Sequence, residues 1–296
     1  MNSKKTTKSD RIVSMVLGGI CCCLIVVTIY PILNVLSISL SGDAYVLANN
    51  ITFYPKAPTA AAYKSVIQNQ SILRSFGNSI FIAGVGCICS LAATMLAAYP
   101  IAFCEFPGKK IYNIFVLLPM WFSAGMIPQY LCISKLHLVN SYWSLILNAL
   151  IVPYNLLILS SFLKGLPKEL IESAKIDGAG ELRTLVQIVV PLSKASLATI
   201  ALWVIAAHWN AYMDPLLYIS DFNKFTLQQV LSDIVLSANA VKYELGNATT
   251  ASLSGAALAN QLKNAVLIVS MVPMLCIYPF IQKYFVQGVT LGAVKG

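Results

Sequence analysis

Residues 164–194, KGLPKELIESAKIDGAGELRTLVQIVVPLSK, form a charged island between long apolar runs. Lys164, Lys168, Lys175, Arg183 and Lys194 are basic and Glu169, Glu172, Asp177 and Glu181 acidic, whereas residues 139–163 carry no formal charge. Isolated ions are expensive to bury in hydrocarbon, so the island lies outside any bilayer that its neighbours cross. Its local chemistry predicts helix, turn, helix. Pro167 suits a first helical turn, where a missing N–H costs nothing, and residues 168–175 are good helix formers with acids early and a base late. Asp177-Gly178 marks a turn, because glycine accepts the left-handed backbone that ends a helix. Residues 181–190 then restart a helix that is expected to end at Pro191. Leu170, Ile171 and Ala174 give the first helix a short apolar strip beside Glu169 and Glu172, a face suited to docking into a partner's groove.

Outward from the island, composition sets the class. The 296 residues are 58% hydrophobic and 10% charged, with a mean hydropathy of +0.75, whereas in a soluble domain about a quarter of residues are charged. The apolar segments reach the ~20 residues that cross a bilayer as helix, and none shows the alternation of a membrane barrel. The expectation is an all-α membrane protein of six transmembrane helices, at about 12–40, 76–104, 111–134, 139–163, 195–213 and 265–285. Residues 1–11 would be a cytoplasmic N-terminus and 12–296 one transmembrane domain. Segments 1–11, 105–110, 164–194 and 283–296, placed on one side, hold thirteen of the 20 Lys and Arg. By the positive-inside rule both termini and the island are cytoplasmic. The net charge of +9 thus follows topology and requires no nucleic acid.

Within this layout several stretches carry further expectations. The uncharged run 12–42 is too long for a signal-peptide core and is read as a retained span, kinked near Tyr30-Pro31. Residues 43–74 read as an extracytoplasmic loop, with a short interfacial helix over 63–73. Span 76–104 is rich in small residues (Gly77, Ala83, Gly84, Gly86, Ala92, Ala93, Ala97, Ala98) that permit close helix approach. Pro119 and Pro128 predict bends in span three. Between them Trp121, with Phe122, Gly125 and Met126, suits a pathway lining or an interfacial belt, and Tyr130 on the same span is taken with it as a candidate pathway residue. Span five ends in AAHWNAYMDP, where His208, Trp209, Asn210 and Tyr212 mix aromatic faces with imidazole and amide groups. Sugar sites use that mixture, aromatic faces against C–H surfaces and polar groups against hydroxyls; an outer-interface cluster uses it too. Residues 214–263 read as a long exposed outer segment. The eight cysteines, all within or at the ends of apolar spans, read as small buried hydrophobes without zinc spacing.

No phosphate-binding G-x-x-x-x-G-K-[ST] loop, H-E-x-x-H pair or G-x-S-x-G elbow occurs. The spans as drawn contain no Asp, Glu, Lys or Arg away from their ends. That speaks against a proton or cation relay and directs energy supply to a partner acting on the island.

Glu172, Ala174, Gly178, Ile188 and Pro191, with nine residues between Gly178 and Ile188, resemble the EAA motif of the membrane subunits of ATP-binding-cassette importers. Ser173 stands where the motif usually has its second alanine. The tail YPFIQKYFVQGVTLGAVKG resembles that of MalG-type carbohydrate-importer permeases, and HWNAYMDPLLY and TLQQVL are similar to the subgroup for oligosaccharides from complex polysaccharides. The resemblance implies a MalG-like type I ABC importer permease fold in a bacterial cytoplasmic membrane. It implies a transport subunit that is not itself an enzyme, with no metal or cofactor of its own. Its implied partners are a second homologous permease, two ATPase subunits that bind ATP and Mg, an extracytoplasmic solute-binding protein, membrane lipid, and a sugar or oligosaccharide as substrate. It assigns ATPase coupling to Glu172, Ser173, Ala174, Asp177, Gly178 and Ala179. The alternative from another class is an ion-coupled secondary carrier or channel without an ATPase partner.

Overall fold

The computed structural model describes the backbone of residues 8–244 and 250–293 and the side chains of 12–237 and 257–279; among these every regular element is helical. Residues 1–7 of the basic N-terminus, 245–249 of the polar outer stretch and 294–296 of the tail lie outside the described residues. In chain order the helices are α1 Lys8–Ser39, α2 Asp43–Leu47, α3 Ala61–Gln68, α4 Gln70–Phe103, α5 Lys109–Leu117, α6 Met126–Lys135, α7 Tyr142–Asn148 and α8 Pro153–Lys164. After these come α9 Lys168–Ile176, α10 Glu181–Leu192, α11 Lys194–Asn210, α12 Met213–Tyr218, α13 Leu227–Glu244 and α14 Thr250–Ala293.

Among the described residues, Ile12–Ser39, Gln70–Phe103 and Ala257–Pro279 are each long and apolar enough to cross a membrane alone. Two bent pairs meet the same test, α7 with α8 at 49° and α10 with α11 at 82°. The expected span over 139–163 is therefore broken. The chain leaves helix at Ala149 and re-enters at Pro153, which suits a first helical turn. The expected span over 111–134 is interrupted more deeply. A 3-10 turn at Leu118–Met120 holds Pro119, and helix resumes only after Gly125, whose φ is +83°. Pro128 sits in the first turn of α6, where its missing N–H costs nothing, so it does not bend that helix as expected.

Other expectations shift as well. α4 begins six residues before Phe76, and the loop 43–74 contains α2 and α3. The outer segment 214–263 is largely helical, and its Thr226, Leu227 and Gln229 are buried rather than exposed. Among the cysteines only Cys87 is buried; Cys21, Cys22, Cys23, Cys132 and Cys276 lie on outward faces of apolar helices. For a chain in lipid, an apolar outward face has no reason to turn inward.

The chain divides into two compact units. In residues 1–69 with 231–271, hydrogen bonds fasten the end of α1 to neighbouring segments. Ser41 Oγ donates to Ser37 O at 2.6 Å, Ser39 and Tyr63 share a 2.8 Å hydrogen bond, and buried Gln261 donates to Ser41 O at 2.9 Å and to Asp43 Oδ1 at 2.8 Å. In residues 70–230 with 272–296, α4 packs along α8 and α11. Its buried stripe, Ser75, Ser79, Ala83, Gly86, Ser90, Thr94 and Ala98, is small and rich in hydroxyls, which allows backbones to approach closely. Gly77, Gly84 and Ala92 face outward instead.

Candidate coupling loop and transport path

α9 is built as its sequence dictates. Pro167 precedes it in extended conformation, Glu169 lies in the first turn and Lys175 in the last, complementing the helix dipole. It ends in a Schellman arrangement: Gly178 N donates to Lys175 O at 3.1 Å and Ala179 N to Ala174 O at 2.9 Å, with Gly178 at φ +77°. Ala174, Lys175, Gly178 and Ala179 thus close the helix. Ile171 and Ala174 are each 5% exposed, and Ile171 joins a core of Tyr99 and Ala98 from α4, Leu159 and Leu163 from α8 and Leu185 from α10. Glu169, Glu172, Ser173 and Asp177 remain exposed, away from that core, the Ser173 hydroxyl donating back to Leu170 O at 3.2 Å.

α10 restarts after Gly180 and runs past the expected stop at Pro191 to Leu192. Pro191 cannot donate to the preceding turn, and the helix widens into a π turn over Leu185–Val189. The break comes at Ser193, where the axis turns 82° into α11. Glu181 links the pieces. Lys175 Nζ lies 2.8 Å from Glu181 Oε1, and the Tyr99 hydroxyl donates to Glu181 Oε2 at 2.5 Å. The hydrogen bonds from Lys175 and Tyr99 hold the Glu181 carboxyl below the usual carboxylate range, and the same carboxylate raises Lys175.

The second candidate site lies beside His208. A cavity of about 150 Å³ is lined by Ile82, Leu145, His208, Asp214, Pro215 and Thr226 among others. His208 is 8% exposed, and its Nε2 has no hydrogen-bond partner among the described residues. Asn148 Nδ2 donates to Asp214 Oδ2 at 2.9 Å, and Gln129 Nε2 donates to Asn148 Oδ1 at 2.5 Å, a relay of amides leading to the carboxylate at the cavity. Tyr130 stacks on Tyr218 with centroids 6.2 Å apart.

The other residues singled out near position 208 diverge. Trp209 is buried edge-on against Phe76 at 5.6 Å. Asn210 donates to Ala206 O of its own helix at 2.9 Å, and Tyr212 is partly exposed at the turn into α12. Trp121 is 81% exposed in the non-helical stretch after α5. Adjacent helical positions point about 100° apart, so His208, Trp209 and Asn210 at the end of α11 face in different directions.

Residues 92–291, more than half the chain and including the whole charged loop, match the family described as "Binding-protein-dependent transport system inner membrane component". The chain belongs to this permease family. It is similar to Protein LplC of Bacillus subtilis (strain 168), 37% identical over 100% of this chain and 99% of the relative. It is also similar to the polygalacturonan/rhamnogalacturonan transport system permease protein YtcP of the same organism, 33% identical over 97% of this chain and 99% of the relative. Among solved structures, it matches a chain from the crystal structure of a bacterial ABC transporter involved in the import of the acidic polysaccharide alginate. The TM-score is 0.86 at 26% identity, covering 96% of this chain and 100% of that chain. The chain is thus a multi-pass membrane protein and a transport permease by family.

For this permease, sequence reasoning missed Tyr99 and Glu181 as a joint, and Gln129, Asn148 and Asp214 as cavity neighbours. Gln129 and Asn148 are isolated amides in apolar runs, a signal that the hydropathy reading passed over.

Proposed function

We propose that this chain is the permease subunit of an ATP-driven importer that moves a sugar or oligosaccharide across the bacterial cytoplasmic membrane by alternating access. The observation that carries the reading is α9. It is closed at Gly178 and seated on the bundle core by Ile171 and Ala174, while Glu169, Glu172 and Asp177 stay exposed. A short helix held on one side and charged on the other is suited to receive force from a separate ATPase subunit. Glu172, Ser173, Ala174, Asp177, Gly178 and Ala179 make up that element, ATP and Mg being bound by the partner.

The reading includes six spans with both termini inside, α5 and α6 together completing the crossing that proline and glycine interrupt. The assembly comprises a second homologous permease, two ATPase subunits and an extracytoplasmic solute-binding protein, in keeping with the family description. Relatives named for polygalacturonan and rhamnogalacturonan, and a neighbour described for alginate, support an oligosaccharide from a complex, acidic polysaccharide as substrate. In this reading His208 and Tyr130 line or flank its path, Trp121 meets lipid or the second permease, and Trp209, Asn210 and Tyr212 shape the end of α11.

The test is reconstitution of the co-expressed complex in liposomes with oligogalacturonides and alginate oligomers. Uptake that depends on ATP and is lost with Glu172→Ala supports the reading. Uptake driven by an ion gradient in the absence of ATPase subunits overturns it.

A further inference from the structure

One carboxylate joins the charged loop to the bundle. Glu181, in the first turn of α10, accepts from Lys175 in the last turn of α9 on one oxygen and from Tyr99 of α4 on the other, at 2.8 and 2.5 Å. Tyr99 is 6% exposed and its ring packs at 5.3 Å from Phe103, so the α4 end of the tie is anchored in the core. Around it, Ile171 of α9 and Leu185 and Val189 of α10 share one apolar cluster with Tyr99.

Along the backbone the connection from α9 to α11 is longer and is interrupted three times. It passes a glycine turn at Gly178, a π turn at Leu185–Val189 and an 82° bend at Ser193. Across the fold it is short and polar, and charge-assisted hydrogen bonds are directional and strong.

We propose that Glu181 is a positioning residue that clamps the coupling helix to α4, so that displacement of α9 is delivered to α4 through Lys175, Glu181 and Tyr99 rather than along the chain into α11. The proposal rests on the reading of this loop as the ATPase-coupling element. Lys175 and Glu181 are about half exposed, with side chains 48% and 53% accessible, so water and salt weaken their pair. The Tyr99 hydroxyl, held by a buried ring, keeps the carboxylate in register. Losing the clamp leaves Glu169, Glu172 and Asp177 in place to bind the ATPase. Hydrolysis then continues while its mechanical yield falls.

The experiment uses the whole transport complex in liposomes and measures uptake and ATP hydrolysis in the same vesicles for Tyr99→Phe, Glu181→Gln and the double variant. Tyr99→Phe keeps the ring, and Glu181→Gln changes an exposed side chain. Each single variant is expected to lower substrate moved per ATP by about 3- to 10-fold, the range set by the net contribution of one ordinary, partly solvated hydrogen bond. The double variant should do no worse than either single, because both break one tie. Lys175→Met should shift the ratio in the same direction by less. ATPase subunits should co-purify in wild-type amounts throughout. An unchanged ratio in both singles, or a double-variant loss equal to the product of the single losses, overturns the clamp. If that happens while Glu172→Ala still abolishes uptake, only the clamp falls and the coupling reading stands. If Glu172→Ala also leaves uptake intact, the coupling reading falls with it.

Discussion

Gly86 of α4 and His208 of α11 are in contact: a Cβ on Gly86 would stand 2.6 Å from His208 Nε2 and 2.9 Å from its Cδ2. This pair sets how closely the two helices approach beside the cavity. Gly86→Ala should force the imidazole aside and cost about 1–3 kcal/mol, the usual range for overpacking. Thermal unfolding of the purified complex measures the loss, and His208→Ala in the same chain should recover most of it, since it removes the atoms that collide.

Gly178 shows the opposite case. A Cβ there would meet nothing within 4 Å, and only the φ of +77° resists a side chain. Gly178→Ala should therefore cost about 1 kcal/mol from the left-handed backbone alone, Gly178→Val more, and Gly178→Asn least. Uptake and ATPase co-purification should fall in the order Asn, Ala, Val. Equal activity of Val and Asn variants would show that the Schellman closure of α9 does not matter for coupling.

The Lys175–Glu181 pair carries a pH dependence of defined sign. The folded-state carboxyl of Glu181 is depressed, by Lys175 first and by Tyr99 second. Its contribution is fully present above the ordinary carboxylate value of 4.5 and is lost as pH falls through the lower folded value. Lys175 is raised above its ordinary 10.5, so on the alkaline side the pair persists until pH passes that raised value. The protection of α9 amides, taken relative to the intrinsic exchange rate at each pH, should thus be flat between about pH 5 and 9 and fall below that window. Glu181→Gln should abolish the acid limb, and higher ionic strength should weaken the pair.

Gln229 holds the outer segment together. Its Nε2 donates to Pro215 O at 3.1 Å and Ile219 O at 3.3 Å, its Oε1 accepts from Thr226 N at 3.0 Å, and the residue is 3% exposed. Gln229→Leu fits the space but takes the partner from Ile219 O and Thr226 N, at about 1–3 kcal/mol for each group left unsatisfied, while Pro215 O keeps its bond from Ile219 N at 2.9 Å. A drop in melting temperature, with ATP-to-substrate stoichiometry preserved in the surviving complex, is the expected result.

Much of the fold was legible because its signals are local. The uncharged runs announce membrane helices, and Pro167, Asp177 and Gly178 place the ends of α9 to within a residue. Prolines were the weakest guide. Pro128 opens a helix and Pro191 lies within one, because what a proline does depends on whether its turn needed the missing N–H. The directions taken within the cluster 208–212 were not legible, since α11 sends His208 to the cavity and Trp209 to Phe76.

The sequence by itself determined an α-helical membrane protein with a charged helix–turn–helix loop, because hydropathy, charge and the backbone limits of glycine and proline act over a few residues. Only the tertiary structure decided what that loop is fastened to. Tyr99 and Glu181 stand 82 positions apart, and nothing in the local chemistry of either names the other. Gly86 and His208 likewise meet only where α4 crosses α11. Such pairings depend on which helix faces come together and at what distance, and that is settled by packing over the whole bundle.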